Sequence, residues 1–281
     1  MADGESLARR AGSSVAAAAG GSTGGSEDRI VFLGHATVLI ELDGVRLLTD
    51  PLLRNRVAHL RRQVASVEKS ALSAGAGPDA VLISHLHYDH LDLGSLRLLG
   101  LDTRLLVPAG AGAWLEGQGF TEVTELSVGG ETANVGALGV GAVEARHDPR
   151  RRPGPAGLRA EALGYVVNGQ RRTIYFAGDT ELFEGMSSLQ PTPDVALLPV
   201  AGWGPALGPG HMGPLDAARA AGLIAPRLAI PIHWGTLLPI GVAQRRRDRL
   251  GDPPRQFAEH VASLAPGVEV RILEPGQGMV L

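Results

Sequence analysis

The sequence contains no cysteine among its 281 residues. This absence excludes a disulfide-stabilised fold, a thiolate nucleophile, and any zinc or iron–sulfur site that depends on thiolate ligands. The sequence also lacks any apolar run approaching the roughly 18 residues that a membrane-spanning helix requires. A strong charge of one sign is missing as well, since the formal net charge is −3. Nucleic-acid-binding proteins are usually strongly basic, so we expect no nucleic-acid partner. Because no apolar run is long enough to span a bilayer, we also expect no stable membrane insertion.

Apolar residues are plentiful: 44% of the chain is hydrophobic and 20% is charged, which is typical of a soluble protein with a sizeable core. The length fits one large α/β domain, expected over residues 29–281. Residues 1–28 are rich in Ala, Gly and Ser and are predicted to form a disordered tail. The Arg9-Arg10 pair also fits a twin-arginine export signal. Because the following apolar run is short and interrupted by Gly and Ser, we favour a flexible tail and a cytoplasmic protein.

The rest of the chain mixes strand and helix patterns. Strands are predicted at Ile30–Leu33, Thr37–Leu42, Val45–Thr49, Asp79–Ser84, Arg104–Val107, Glu122–Leu126, Val140–Ala145, Ala162–Val167, Thr173–Phe176, Val195–Val200, Arg227–Ile232 and Val268–Ile272. Helices are predicted at Ala111–Gln118, Pro214–Leu223 and Pro254–Leu264, and loop with helix over Arg54–Ser73. This order indicates an α/β (α+β) fold in which two sheets pack face to face beneath helices.

The most informative segment is His-Leu-His-Tyr-Asp-His at positions 85–90, directly after an apolar run. Three imidazoles and a carboxylate within six residues are typical of a metal site, because a divalent cation offsets their crowding and desolvation. His85 and His87, on alternate residues, are predicted to share one metal, while Asp89 and His90 turn toward a second. A solvated polar loop is the alternative, and it does not account for this density.

Three further apolar runs also end in a potential ligand. These segments are Val143–His147, Ile174–Thr180 and Leu228–His233. Each signal is weak alone, since a single histidine is more often structural and Gly-Asp-Thr occurs in many turns. Together with residues 85–90 they supply nitrogen and oxygen ligands for two cations, with Asp179 placed to bridge them.

In order and spacing, this set resembles the metallo-β-lactamase superfamily. Five segments are similar to the branch containing N-acyl-phosphatidylethanolamine-hydrolysing phospholipase D and the L-ascorbate-6-phosphate lactonases: Phe32–Thr37, Thr49–Pro51, Phe176–Thr180, His211–Pro214 and His233–Thr236. The resemblance runs from Arg29 to the C-terminus. It implies a four-layer αβ/βα sandwich and is specific for the fold and metal site but not for the substrate.

The resemblance also implies a ligand set for two divalent ions, with zinc expected first and manganese or iron as alternatives. The ligands would be His85, His87 and His147 for the first metal, Asp89, His90 and His233 for the second, and Asp179 between them. The missing cysteine separates the chain from β-lactamases that use a thiolate at the second metal. Histidine at position 87, where oxygen-reducing diiron relatives carry glutamate, favours hydrolysis over redox chemistry.

The implied enzyme is a metal-dependent hydrolase in which a metal-bridging hydroxide attacks a phosphodiester or another anionic ester or lactone. Asp89 is a candidate for orienting that hydroxide, and His211 for protonating the leaving group or binding a phosphate oxygen. A local hydrogen bond at the start of a helix is the alternative for His211. Asp50 is predicted either to hold a ligand histidine's other nitrogen or to cap a turn. For His35, a structural role is slightly favoured over substrate contact.

The arginines that follow His147 suggest a small anionic substrate. Arg150, Arg151 and Arg152 are predicted to contact it, with a solvated face as the alternative. A nuclease of the same fold is disfavoured by the acidic charge balance and by the short interval between Asp179 and His233, which leaves no room for an inserted RNA-processing domain. A thioesterase and a non-catalytic metal sensor remain alternatives, and the sequence fixes no oligomeric state.

Overall fold

A computed structural model gives the fold of residues 27–64, 77–151, 157–202, 207–241 and 251–281. Most of the tail predicted at residues 1–28 lies outside these described residues, as does Arg152. The strands, in chain order, are β1 (Arg29–Gly34), β2 (Thr37–Leu42), β3 (Val45–Thr49), β4 (Arg56–Val57), β5 (Leu60–Arg62), β6 (Ala80–Leu82), β7 (Leu105–Pro108), β8 (Val123–Leu126), β9 (Ala133–Val135), β10 (Leu138–Glu144), β11 (Leu163–Asn168), β12 (Thr173–Phe176), β13 (Val195–Pro199), β14 (Leu228–Ile232), β15 (Leu237–Pro239), β16 (Glu269–Val270) and β17 (Gly278–Val280). The helices are α1 (Leu93–Leu99), α2 (Gly112–Glu116), a 3-10 helix at Glu184–Ser188, α3 (Pro214–Ile224) and α4 (Asp252–Leu264).

Two seven-stranded sheets form the centre of the molecule. The first has the strand order β17-β1-β2-β3-β6-β7-β8, and the second has the order β16-β14-β13-β12-β11-β10-β9. A small third sheet joins β15, β5 and β4. Alternate residues of the first sheet face opposite ways: Ile40 packs in the large core shared by both sheets, whereas Leu39 packs in a separate core with Leu96 of α1 and Leu115 of α2.

Helices α3 and α4 cover the far side of the second sheet. Their buried residues, among them Ala217 and Phe257, belong to the large core. The resulting order of layers is helices, sheet, sheet, helices, which confirms the α/β (α+β) fold class and the αβ/βα arrangement. Among the described residues, no helix is both long enough and apolar enough to cross a membrane.

The parallel strands place the polar residues of interest at one edge of the sandwich. In the first sheet β3, β6 and β7 run parallel, and in the second β12, β13 and β14 do the same. The chain leaves β3 at Asp50, β6 just before His85, β12 just before Asp179 and β14 just before His233. Because parallel strands bring their carboxyl ends to one edge, residues far apart in sequence meet there.

Most strands predicted from the sequence are present within one or two residues of their expected ends. The Asp43-Gly44 turn has φ values of 49° and 79°, the positive values that a two-residue hairpin requires. Helix α1 and strands β9 and β17 were not predicted. Helix α1 begins after Asp92, whose side chain accepts a hydrogen bond from the Ser95 backbone amide. That helix is only seven residues long, too short for its apolar periodicity to stand out.

The region Arg54–Ser73 differs from its prediction of loop and helix. Its described part, up to residue 64, forms the β4–β5 hairpin instead of a helix. The hairpin is held by pairing of β5 with β15, where Leu237 lies opposite Arg62. This pairing partner is 175 positions away in sequence, so no local pattern could have indicated the strand.

A buried tyrosine hydroxyl links the two sheets next to residues 85–90. Tyr165 on β11 donates hydrogen bonds to the carbonyl oxygens of Ile83 (2.7 Å) and Leu106 (3.3 Å). The Leu163 amide donates to the Ser84 carbonyl oxygen at 2.8 Å. Burial raises the pKa of Tyr165 well above its ordinary value, so the hydroxyl remains a donor.

We expect Tyr165→Phe to lower the free energy of unfolding by about 1–2 kcal/mol, because it leaves a buried carbonyl without its partner. Chemical denaturation monitored by circular dichroism measures this change. Tyr175→Phe on β12 is the matched control, since no described residue forms a hydrogen bond with the Tyr175 hydroxyl. Equal stabilities of the two variants would contradict a role for the inter-sheet bond.

Candidate metal centre

A tight turn after β6 presents the side chains of residues 85–90 on one side. The backbone amides of His90 and Leu91 both donate to the His87 carbonyl oxygen, at 3.1 and 2.8 Å. The turn reverses the chain within four residues, so His90 faces the same space as His85. The rings of His85 and His90 are 4.1 Å apart between centroids.

The first histidine group consists of His85, His87 and His147. His87 Nδ1 lies 3.0 Å from His85 Nε2 and 2.9 Å from His147 Nε2. His147 Nδ1 donates to the Gly210 carbonyl oxygen at 2.7 Å. A carbonyl oxygen only accepts hydrogen bonds, so the proton of neutral His147 is fixed on Nδ1 and its Nε2 lone pair faces the group.

The second histidine group consists of Asp89, His90 and His233. His90 Nε2 and His233 Nε2 are 3.2 Å apart. Their other nitrogens are committed: His90 Nδ1 donates to Asp50 Oδ2 at 2.7 Å, and His233 Nδ1 donates to the Ala201 carbonyl oxygen at 2.6 Å. In the neutral forms both Nε2 atoms therefore direct lone pairs at one point.

Asp179 lies close to both groups, since a carboxylate oxygen is within 4.8 Å of a His147 ring nitrogen and also near His90 and His233. Its Oδ2 is 3.3 Å from His90 Nε2, 3.2 Å from His233 Nε2 and 3.5 Å from His211 Nε2. Its Oδ1 is buried and has no hydrogen-bond partner among the residues that the structure describes. A buried carboxylate oxygen without a donor is costly unless a cation satisfies it. The donor set thus fits divalent metal ions.

The pKa values of the histidines in the two groups shift in opposite directions. Burial, together with the charges of His90 and His147, lowers the pKa of His85 well below its ordinary value. Burial also lowers the pKa of His147 to about 4. In the second group burial also acts to lower the pKa, but the nearby carboxylates, Asp179 first among them, together outweigh it. The pKa of His90 is therefore raised well above its ordinary value, and that of His233 is raised too.

The two carboxyl groups of the cluster stay ionised. Burial acts to raise the pKa of Asp179, but the positive charges of His233 and His90 hold it well below its ordinary value. The same holds for Asp89, where the charge of His90 is the leading opposing cause. Negative charge buried at this edge requires a compensating positive charge, which protons supply on His90 and His233 and which a cation would supply equally.

The structure places Asp50 where it supports both histidine groups. Its carboxylate accepts hydrogen bonds from the Ser84 amide (2.7 Å), the Ser84 hydroxyl (2.6 Å) and His90 Nδ1 (2.7 Å). Ser84 Oγ is also 3.0 Å from His85 Nδ1. One buried carboxylate therefore orients His90 directly and His85 through Ser84; its support of a metal ligand stays a prediction.

His35 is in direct contact with the second histidine group, which the sequence did not indicate. Its Nε2 is 3.0 Å from Asp89 Oδ2, and burial lowers its pKa to about 3. Its carbonyl oxygen accepts the His233 amide at 2.7 Å, and its φ is 58°. His35 thus combines the structural role favoured for it with a direct contact to Asp89. The preceding Gly34 was the only local signal of the unusual backbone there.

A pocket of about 570 Å³ opens onto the cluster. Besides the clustered residues, it is lined by Ala58, His59, Tyr88, Leu207 and Pro209. His59 lies in the turn between β4 and β5, at the pocket, in a region where the sequence predicted loop and helix. The pocket walls come from loops that are far apart in sequence and meet only in the folded chain. Sequence patterns therefore did not indicate the pocket.

His211 also lies at the pocket, with its Nε2 toward Asp179. Its Nδ1 is 3.1 Å from the Gly208 carbonyl oxygen and 3.2 Å from that of Pro209. His211 therefore makes a local hydrogen bond before α3 while its ring faces the cluster, and its role toward a substrate stays a prediction.

The two described arginines of the run after His147 have protein partners. Arg150 forms an ion pair with Asp148 at 2.6 Å, and its hydrogen bond holds the pKa of Asp148 below the ordinary value. Arg151 is buried and donates to the carbonyl oxygens of Leu86 and Leu91. Substrate contact by either arginine stays a prediction.

Metal binding to the two histidine groups should differ in proton release. His85, His87 and His147, with lowered pKa values, have no proton to lose at neutral pH, so the metal affinity of their group should change little across the neutral pH range. His90 and His233, with raised pKa values, must release protons, so affinity there increases with pH through the neutral range. Zinc titration calorimetry in two buffers of different ionisation enthalpy counts these protons. Equal release for both equivalents would contradict this assignment.

Comparison with known proteins agrees with this geometry. A family profile described as a β-lactamase superfamily domain matches residues 45–234. A UPF0173 metal-dependent hydrolase from Methanopyrus kandleri is 35% identical over 253 residues, covering 89% of this chain and 98% of that protein. N-acyl-phosphatidylethanolamine-hydrolysing phospholipase D 1 of Caenorhabditis elegans is 29% identical, covering 78% of this chain and 67% of that protein.

A solved structure shows the same fold. Igni18, a metallo hydrolase from Ignicoccus hospitalis, superposes with a TM-score of 0.69 at 24% identity, covering 91% of this chain and 99% of that one. The profile match spans more than half of the chain, and the Methanopyrus kandleri hydrolase is similar over nearly its full length. The chain therefore belongs to the metallo-β-lactamase superfamily and, within it, to the metal-dependent hydrolases.

Proposed function

We propose that the protein is a dinuclear hydrolase that cleaves a phosphodiester or another anionic ester or lactone. The observation that carries this proposal is the meeting of two histidine groups at Asp179, whose Oδ1 is buried without a partner among the described residues. A single structural metal would need only one such group. Two groups sharing a carboxylate are typical of two-metal hydrolytic sites.

The ligand assignment follows from the fixed nitrogens. One ion would be held by the first histidine group and the other by the second, with Asp179 reaching both. Nitrogen-rich donors favour zinc, and manganese or iron would accept the same ligands. When bound, two divalent ions would lower the pKa of water toward neutrality and polarise the oxygen of the scissile group.

The chain's own residues then position the reactants. Asp89, held by His35 at 3.0 Å, is placed to accept a hydrogen bond from the attacking water. His211, at the pocket with its Nε2 toward Asp179, is placed to give a proton to the leaving oxygen. Asp89 lies in the loop after β6 and His211 lies before α3. Activation of the water and protonation of the leaving oxygen would thus be assisted by different segments of the chain.

The comparisons give limited support to the choice of substrate. The name of the Caenorhabditis elegans relative describes hydrolysis of a phosphodiester lipid, which makes phosphodiesters the first class to test. The net charge of −3 disfavours a polyanion such as RNA. The pocket of about 570 Å³ is within the size range for small-molecule sites.

Elemental analysis and hydrolysis of bis-p-nitrophenyl phosphate test the proposal together. We expect two metal ions per chain in the wild type. Asp179→Ala should lower the hydrolysis rate by more than about 100-fold, the upper end of the loss for residues that only support ligands. Its metal content should fall as well, because the variant removes the oxygens that both groups share.

The matched control is His260→Ala on α4, a histidine outside the cluster and the pocket. It should retain both metal ions and full activity. Wild-type protein that holds no transition metal, with unchanged behaviour in Asp179→Ala, would contradict the proposal. Two metals with activity only toward lactones or carboxylic esters would keep the dinuclear site and replace the phosphodiester.

A further inference from the structure

We infer that Arg151 is a positioning residue that holds residues 85–91 in their metal-binding conformation before any metal arrives. The inference rests on the proposed function only in treating these residues as the metal-binding loop. Arg151 itself was expected to contact substrate. Arg151 lines the pocket, and its guanidinium donates to the backbone of the loop that carries four of the seven proposed ligands.

The guanidinium ties the two ends of the loop together. Its Nη1 donates to the Leu86 carbonyl oxygen at 2.8 Å and to the Leu91 carbonyl oxygen at 3.2 Å, and its Nη2 donates to Leu91 at 3.3 Å. These two carbonyls flank His87 and His90. A planar group with several donors in a fixed geometry suits this double contact, which a lysine ammonium cannot reproduce.

Two aromatic rings enclose the same guanidinium. Its central carbon lies 4.5 Å from the centroid of Tyr88, within the loop, and 4.6 Å from that of Trp114 on α2. Arg151 is only 8% exposed. The stacking therefore links the loop to the helical layer outside the first sheet.

The backbone around Arg151 is anchored as well. The Arg151 amide donates to the Leu158 carbonyl oxygen at 2.9 Å, and the Ala160 amide donates to that of Pro149 at 3.0 Å. Arg151 follows His147 by only four residues. One side chain thus connects the segment that supplies His147 with the loop that supplies His87, and these ligands must meet for the first histidine group to form.

Burying a guanidinium carries a desolvation cost, which makes Arg151 a poor choice for stability alone. An apolar side chain would pack between the rings without that cost, but it would leave the Leu86 and Leu91 carbonyls without this donor. The arrangement is thus better explained by conformational control of the loop.

Hydrogen exchange of the full-length, metal-free protein tests the inference. The amides of His90 and Leu91, both bonded to the His87 carbonyl, report on the loop. Arg151→Ala should speed their exchange by about tenfold or more, as expected for loss of charge-assisted hydrogen bonds. Arg151→Lys should show an intermediate increase. Exchange of the β13 amides should stay at the wild-type rate in both variants.

Arg150→Ala is the matched control. The neighbouring arginine pairs with the partly exposed Asp148 carboxylate, so its removal should leave loop exchange unchanged. A second readout is zinc release to a chelator from reconstituted protein, which should be faster in Arg151→Ala and unaltered in Arg150→Ala.

Several results would overturn the inference. One is a loop exchange rate in Arg151→Ala equal to that of the wild-type protein. Others are an equal rate increase in Arg150→Ala, or faster exchange throughout the chain in Arg151→Lys. If Arg151→Ala does not fold, a loop exchange rate in Arg151→Lys equal to that of the wild-type protein contradicts the inference. Faster loop exchange in a protein that binds no metal would leave this inference standing and contradict the proposed function, so the two can fail separately.

Discussion

The buried carboxylate of Asp179 is the interaction on which the arrangement around it depends. It sits where the carboxyl edges of the two sheets meet, with one oxygen near His90 and His233 and the other without a donor in the described structure. Ionised carboxylate in such a place needs positive charge nearby. The raised pKa values of His90 and His233 show that, without a metal, these two histidines carry that positive charge as bound protons. Divalent cations would meet the same need and would be held by the lone pairs of both histidine groups.

A shell of hydrogen-bond acceptors fixes those lone pairs. The carbonyl oxygens of Gly210 and Ala201 hold the far nitrogens of His147 and His233, while Asp50 holds that of His90. None of these partners is near its histidine in sequence: Gly210 and Ala201 both lie between β13 and α3, and Asp50 follows β3. The site is therefore a property of the whole sandwich: shifting one sheet against the other would misplace several ligands at once.

The sequence was sufficient for most of the strands and for identifying the histidine-rich segment, and the reasons are local. Strands such as β13 are short apolar runs, and residues 85–90 concentrate imidazoles beyond any structural need. What the sequence could not indicate depended on distant partners. The β4–β5 hairpin is defined by pairing with β15, and Arg151 by carbonyls more than 50 positions away. From the sequence alone, an arginine near a metal ligand suggested an anion contact, because nothing local distinguishes Arg151 from Arg150.

The measurement that tests the central claim most directly is anomalous X-ray diffraction from crystals of protein loaded with two equivalents of zinc. The account predicts two anomalous peaks, one against His85, His87 and His147 and the other against Asp89, His90 and His233, with Asp179 contacting both. A single peak, or zinc bound away from Asp179, would contradict a dinuclear centre built on that carboxylate.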